Sequence, residues 1–420
     1  MTKDELKEVI ISQGEIEPTF RYVKREVEEQ IHDLVDNSFV ILISGVRRCG
    51  KSTLMHQIRK RVSVSENYLN FDDNRLVGFC LSDFEILLEC FYEMFGNQNI
   101  YYFDEIQNIE GWEFFVRRLH NEGKKVFITG SNSKLLSKEM GTHLTGRSIQ
   151  IELFPFSFRE FISFKEIEIK EGDYYRIEKF SKLKALWDEY IHKGGFPTFL
   201  QTSQSPVFKN LCENIIYKDI IARYKLKGVK SINELFTYLI SNVAKDFSYN
   251  KLKNLFNVKN VLTIKDYILY FEQSYIFFTV NKFDYSYKKQ IANSKKIYSI
   301  DTGLTNHLSF RFSENYGRQL ENAVFLQLKR MGFDIYYHRG KYECDFVVRQ
   351  KDRITKAIQV CKAIGRQPTK DREVRGLLEA VRTYGLPYGL LLTQDTQDEF
   401  EQEGVKVVVK PIWSWMLTQK

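Results

Sequence analysis

Gly45-Val46-Arg47-Arg48-Cys49-Gly50-Lys51-Ser52 has the spacing G-x-x-x-x-G-K-[ST], a pattern suited to holding a polyphosphate. Glycine lets the chain turn tightly enough for successive N–H groups to face inward, and a helix starting where the turn ends adds a positive dipole end. Lys51 then reaches β- and γ-phosphate oxygens, while the Ser52 hydroxyl is a ligand for Mg2+. The cradle comprises Gly45, Val46, Arg47, Arg48, Cys49, Gly50, Lys51, Ser52 and Thr53, and it implies a nucleoside triphosphate with Mg2+. A tight structural turn is the alternative reading.

Triphosphate hydrolysis also needs acid groups, and Asn99-Ile100-Tyr101-Tyr102-Phe103-Asp104-Glu105 supplies two at the end of an apolar run. Asp104 is placed to hold Mg2+ through water. Glu105 is the candidate general base, because in-line attack requires a carboxylate beyond the γ-phosphate, opposite the leaving group. The same pattern also describes a buried strand ending in two surface acids.

These residues work only if strands bring them to one edge. Phe39-Val40-Ile41-Leu42-Ile43-Ser44 has strand composition, and Thr53-Leu54-Met55-His56-Gln57-Ile58 spaces its apolar residues as a helix does. Further strands are expected at 67–73, 124–133 and 149–153. If the strand of 124–133 lies between the phosphate-loop strand and the acidic strand, its polar tip sits by the γ-phosphate. Ser131 or Asn132 is then a γ-phosphate sensor, an ordinary polar turn being the alternative. Arg147 is either a charge-neutralising finger, supplied in cis or by a neighbouring subunit, or a solvated arginine after a turn.

The segments GVRRCGKSTLM, YYFDEIQ, ITGSNS and LTGR, followed by PFSFREF, resemble a large family of prokaryotic AAA+-type ATPases joined to a C-terminal domain of unknown function. Later stretches, YIHKGGFP, IYSIDTGL, GRQLENAVF, ECDFVV, IQVCKAI and DREVRGLLEA, resemble the second part of that family. The resemblance implies an α/β P-loop NTPase core with an AAA+/ASCE-type parallel sheet, and ATP as the nucleotide. The expected organisation is an ATPase core at 1–165, a helical lid or linker at 166–205, a winged-helix domain at 206–312 and a restriction-endonuclease-like α/β domain at 313–420.

Bulk properties agree. With 420 residues, 43% apolar and 15% aromatic, the chain can bury several cores. Its six scattered cysteines include no C-x-x-C pair and no zinc spacing, which suggests a reducing compartment. The charged N-terminal segment lacks the apolar core of an export signal, and no stretch has the length and apolarity of a membrane span. A cytoplasmic protein with no membrane partner is therefore expected.

In the third part, helical patterns at 232–243, 249–256 and 263–275 precede strand patterns at 277–280 and 296–300, the order of a winged helix. Residues 245–300 hold ten lysines against four acids, and Lys251, Lys253, Lys259 and Lys265 are candidate phosphate contacts for nucleic acid. The segment has no arginine, the usual reader of base edges, which speaks against nucleic acid and for the alternative, a packing module with a solvated lysine face.

The last part shows the element order of a nuclease fold. Nucleases of that class use a helix Glu, a strand Asp and a Glu-x-Lys pair on the next strand. Glu321 and Asp345 match the first two, but Gln359 and Cys361 stand where the pair belongs. Lys362 points to the opposite strand face and cannot stand in, and a neutral amide is a poor ligand for Mg2+. Glu343 is an alternative acid on the Asp345 face. This part is therefore expected to be catalytically degenerate. The overall expectation is a Mg2+-dependent ATPase whose nucleotide cycle drives or gates the C-terminal parts. The alternatives are a switch with negligible turnover, an ATP-dependent DNA-binding protein or an ATP-dependent nuclease. Homo-oligomerisation is compatible with the finger reading.

Overall fold

A computed structural model of the chain describes residues 1–14, 22–62, 67–132, 144–168, 177–310, 316–363 and 367–418. Two compact units emerge. The first comprises Met1–Phe154 with Gln273–Tyr275, and the second comprises Pro155–Glu272 with Ile276–Lys420. Part of the expected lid or linker at 166–205, residues 169–176, lies outside the described residues.

The first unit is built on strands β1 (Val40–Ser44), β2 (Tyr68–Asn70), β3 (Ile100–Asp104), β4 (Lys125–Gly130) and β5 (Ser148–Glu152). All pair in parallel, in the order β2-β3-β4-β1-β5. Buried parallel strands read as continuous apolar runs because both faces are covered, and β1 is buried at every position. Alternation sorts its side chains. Val40 and Leu42 join Tyr101, Phe103, Val126 and Ile128 in a core with Leu6, Val9 and Ile10 of the first helix and Phe115 and Leu119 of the helix Trp112–Asn121. Residues of opposite parity face away, where Tyr102 stacks on Phe127 with ring centres 5.1 Å apart.

Strand β4 is wedged between β1 and β3, as the sensor argument required. That order aligns the ends of three strands, so the loop after β1, the two acids at the end of β3 and the polar tip of β4 share one edge of the sheet.

The second unit carries a nine-stranded sheet ordered β13-β14-β12-β11-β10-β9-β7-β8-β6. Its strands are β6 (Asp246–Phe247), β7 (Phe277–Lys282), β8 (Lys295–Ser299), β9 (Asp334–Arg339), β10 (Glu343–Gln350), β11 (Arg353–Val360), β12 (Gly389–Thr393), β13 (Asp398–Gln402) and β14 (Val405–Pro411). Helices Val229–Ser241, Tyr249–Leu255 and Val261–Gln273 precede the β7-β8 hairpin, and β6 pairs with β8. Parallel pairing of Asn281 with Tyr336 and Lys282 with Tyr337 joins this hairpin to β9, so a single sheet crosses the boundary expected at residue 312.

The helix Phe158–Phe164, placed in the ATPase core by the sequence-based limit at 165, belongs to the second unit. The cause is aromatic packing. Phe158 and Phe161 lie against Tyr190, and Phe158 meets Trp187 edge to face. A capping box between Ser157 and Glu160 fixes where the helix starts.

Candidate nucleotide site

The turn after β1 is shaped by two glycines. Gly45 has φ +154°, and a Cβ there would lie 2.1 Å from the Leu153 carbonyl oxygen, a clash with backbone that no side chain can escape. Gly50, at φ +104°, also needs glycine. The helix Lys51–Val62 starts directly after it. Cys49 is fully buried in the turn, and burial pushes its thiol pKa up, so the residue is a small filler rather than a reactive thiolate.

Lys51 is buried, and its ammonium donates to the carbonyls of Gly45 (3.2 Å) and Val46 (3.3 Å) while lying 3.2 Å from Glu105 Oε1. Burial alone would lower the ammonium pKa, but the charges of Glu105 and Asp104 and a hydrogen bond to Glu105 act together against it, and the pKa is raised. Glu105 responds in the opposite sense. Burial pushes its pKa up, and the charge of Lys51 with a hydrogen bond from Gln107 (2.6 Å) brings it below the ordinary value.

Asp104 is fully buried beside it, and burial together with the Glu105 charge raises its pKa. Hydrogen bonds from Ser52 and Thr129 oppose that rise, and Tyr68 donates to its other oxygen at 3.3 Å. The pairing of Ser52 with Asp104 offers a hydroxyl and a carboxylate side by side, hard oxygen donors of the kind Mg2+ prefers. These donors fit the ion that the sequence implied.

Thr129, on β4, couples the two acids. Its hydroxyl donates to Asp104 Oδ1 and accepts the Glu105 N–H at 2.9 Å. Glu105 has φ +51°, a left-handed conformation that is strained for a residue with a side chain and sets the carboxylate's direction. Ser131 and Asn132 are buried at the β4 tip, and Gln107 Nε2 lies 3.5 Å from Ser131 Oγ. Thus Lys51, Ser52, Asp104, Glu105 and Ser131 form one connected set.

Arg147 is placed otherwise. Its carbonyl accepts from Val40 N and the next residue, Ser148, is paired with Val40, so it sits where β1 begins. The loop lies beyond Ser44, four residues and about 13 Å further along the strand. The Arg147 side chain donates to Asn121 Oδ1 at 3.3 Å. Within one chain it is therefore not brought to the loop, which corrects the cis form of the finger reading.

Sequence reasoning missed five contributors. Arg25 is buried and ties the loop down by donating to the Cys49 carbonyl (3.1 Å) and the Phe154 carbonyl (2.6 Å). It stands 24 residues from Cys49, so no local spacing points to it. Thr129 is readable in hindsight as a hydroxyl closing an apolar strand, and Gln107 and Tyr68 carry no such signal. Tyr275 is the fifth. Its hydroxyl donates to Ser44 Oγ at 2.8 Å, directly before the loop.

A family model described as "AAA domain" matches residues 37–162, and another described as "Domain of unknown function (DUF8612)" matches residues 184–315. An uncharacterized protein of Methanocaldococcus jannaschii, MJ1544, is 36% identical over 98% of this chain and 95% of its own length. The chain belongs to this family of AAA-domain proteins. An uncharacterized protein of Haemophilus influenzae is 30% identical over 92% of this chain and 96% of its own. The solved ADP form of the Aeropyrum pernix ORC2 protein is 14% identical over 63% of this chain and 89% of that one; its TM-score of 0.34 is too low to carry an argument. The fold assignment rests instead on the parallel strand order and the loop that follows β1. Among the described residues no helix is long and apolar enough to cross a membrane.

Proposed function

We propose that the chain binds ATP with Mg2+ and hydrolyses it, and that the nucleotide cycle drives or gates its C-terminal parts. The convergence of Lys51, Ser52, Asp104 and Glu105 on one sheet edge carries this reading. Loop N–H groups and the helix N-terminus hold the phosphates. Lys51 exchanges its loop carbonyls and Glu105 for phosphate oxygens, which frees the Glu105 carboxylate to take a proton from the attacking water. Ser52 and Asp104 hold Mg2+, which when bound neutralises phosphate charge. Ser131 and Asn132 sense the γ-phosphate from β4. Arg147 acts, on this reading, only in trans, as the finger of a neighbouring subunit in a homo-oligomer.

The test is single-turnover hydrolysis with and without DNA, alongside nucleotide calorimetry. Lys51→Ala is expected to lose tight ATP binding, and Glu105→Gln to keep binding and lose turnover. Unchanged turnover in Glu105→Gln sinks the base assignment. Negligible turnover in the parent chain favours a switch.

A second reading concerns nucleic acid. Three helices and a β6-β8-β7 arrangement support a winged helix, and Lys251, Lys259 and Lys265 are exposed on it. The hairpin adds exposed Tyr285, Tyr287, Lys288 and Lys289, aromatic and basic groups of the kind that contact nucleic acid. If this face binds DNA, affinity falls steeply with salt and each lysine-to-alanine change lowers the salt slope by about one. A salt-independent affinity refutes it.

A further inference from the structure

The second unit buries a charge cluster that the ATPase reading does not use. Lys296 of β8 is 2% exposed, and its Nζ lies 2.9 Å from Glu321 Oε1, 2.9 Å from Glu343 Oε1 and 3.0 Å from Asp345 Oδ1. Glu321 comes from the helix Tyr316–Arg330, and the other two acids come from β10. The ammonium thus donates to Glu321 and Asp345 and forms an ion pair with Glu343. Tyr298 donates to Glu321 Oε1 at 2.7 Å, Val360 N to Asp345 Oδ2 at 3.1 Å, and Arg339 holds Glu343.

Glu321 and Asp345 are the two acids expected of a metal-dependent nuclease, and the position is built with care. Between Cys344 and Val347 the pairing of β10 with β9 slips, a bulge of the kind that re-aims a side chain, and Asp345 lies inside it. Gln359, standing where the third acid belongs, is a neutral amide whose oxygen accepts Asp345 N at 3.2 Å. Yet the focus of the carboxylates is filled by the ammonium. Among the described residues no group of three His, Cys, Asp or Glu is arranged to hold a metal ion. The residues therefore do not fit a divalent cation as they stand.

We propose that Lys296 is a built-in cation standing in the place of a divalent metal, which closes this pocket to Mg2+ and leaves the second unit without metal-dependent phosphodiester cleavage. A fixed ammonium neutralises one carboxylate charge and satisfies one oxygen each of Glu321 and Asp345. It cannot exchange with solvent or activate a metal-bound water. Enclosed by three acids at 2.9–3.0 Å, the ammonium occupies the point on which their carboxylates converge. The consequence runs in reverse: taking the ammonium away leaves three carboxylates around a vacated focus, which is a hard-oxygen site for a divalent ion.

The experiment counts Mn2+ bound per full-length, nucleotide-free chain by the electron paramagnetic resonance of the free ion. Four proteins are compared: parent, Asp345→Asn, Lys296→Ala and the Lys296→Ala/Asp345→Asn double variant. Any ion at the phosphate loop is common to all four. Parent and Asp345→Asn are expected to bind equal amounts, Lys296→Ala one more ion at about 0.1–1 mM, and the double variant to return to the parent count. The proposal is overturned if Asp345→Asn lowers the count, since the parent would then already hold a metal there, or if Lys296→Ala gains nothing. Lys296→Met, which keeps side-chain volume, replaces the alanine variant if that one does not fold, and the parent against Asp345→Asn comparison decides the matter independently of both.

Discussion

Replacing Thr129 by valine, nearly the same shape without the hydroxyl, separates the stability of the nucleotide site from its chemistry. The change removes the acceptor for Glu105 N (2.9 Å) and the donor to Asp104 Oδ1. A buried amide left unmet costs about 1–3 kcal/mol. Holding Glu105 in its left-handed conformation costs about 1–2 kcal/mol, which that hydrogen bond offsets in the parent chain. With the bond gone, the balance favours relaxation of Glu105 toward ordinary backbone, and a shift of about 1 Å in a catalytic group costs about a hundredfold in rate. Asp104, losing a hydrogen bond to its charged form, is pushed further up in pKa. Urea denaturation is therefore expected to show a loss of about 1–3 kcal/mol, and phosphate-release assays a kcat reduced at least tenfold. Affinity for a non-hydrolysable ATP analogue should change little, because Lys51 and the loop amides are untouched. Thr129→Ser should restore most of the rate. If kcat stays within twofold of the parent while the stability loss appears, Thr129 does not position Glu105 and the coupling of the two acids is wrong.

Two other outcomes follow from groups that the loop chemistry depends on. Arg25→Met removes both charged hydrogen bonds to the Cys49 and Phe154 carbonyls, so a stability loss of about 2–4 kcal/mol and weaker nucleotide binding are expected; an unchanged denaturation midpoint excludes a clamping role. His56, on the helix after the loop, has its pKa pushed down to about 4 by burial, with Arg59 and Lys60 adding to the effect. The folded state therefore keeps it neutral where the unfolded chain takes up a proton. Its contribution to stability is complete above about pH 6.5 and is lost as the pH falls toward 4. An imidazole titration by NMR with a midpoint near 6.5 refutes that burial effect.

Local patterns were legible where one short segment carries the whole physical argument. The phosphate loop is such a segment, since glycine spacing, an apolar strand before it and a helical period after it are all within some twenty residues. The two acids at the end of β3 and the polar tip of β4 were readable for the same reason. Strands β13 and β14 and the final helix Ile412–Thr418 were not read, and β13, with the sequence DEFEQ, is too polar to announce itself. It is a strand because it pairs with the more apolar β14 at the sheet edge.

What the amino-acid order determined by itself is a phosphate-loop pattern, and what it offered beyond that were candidates: a cation ligand, a base, and a pair of acids spaced as a nuclease would have them but without its lysine. Only the tertiary structure decided which groups meet. It seated Arg25 under the loop, set Thr129 between the two acids, left Arg147 at the far end of β1, and delivered an ammonium from Lys296, 49 residues before Asp345, to the focus of Glu321, Glu343 and Asp345. The reason is that short-range sequence encodes backbone geometry and periodicity, whereas buried charges find partners through sheet order and curvature, which depend on strands far apart in the chain.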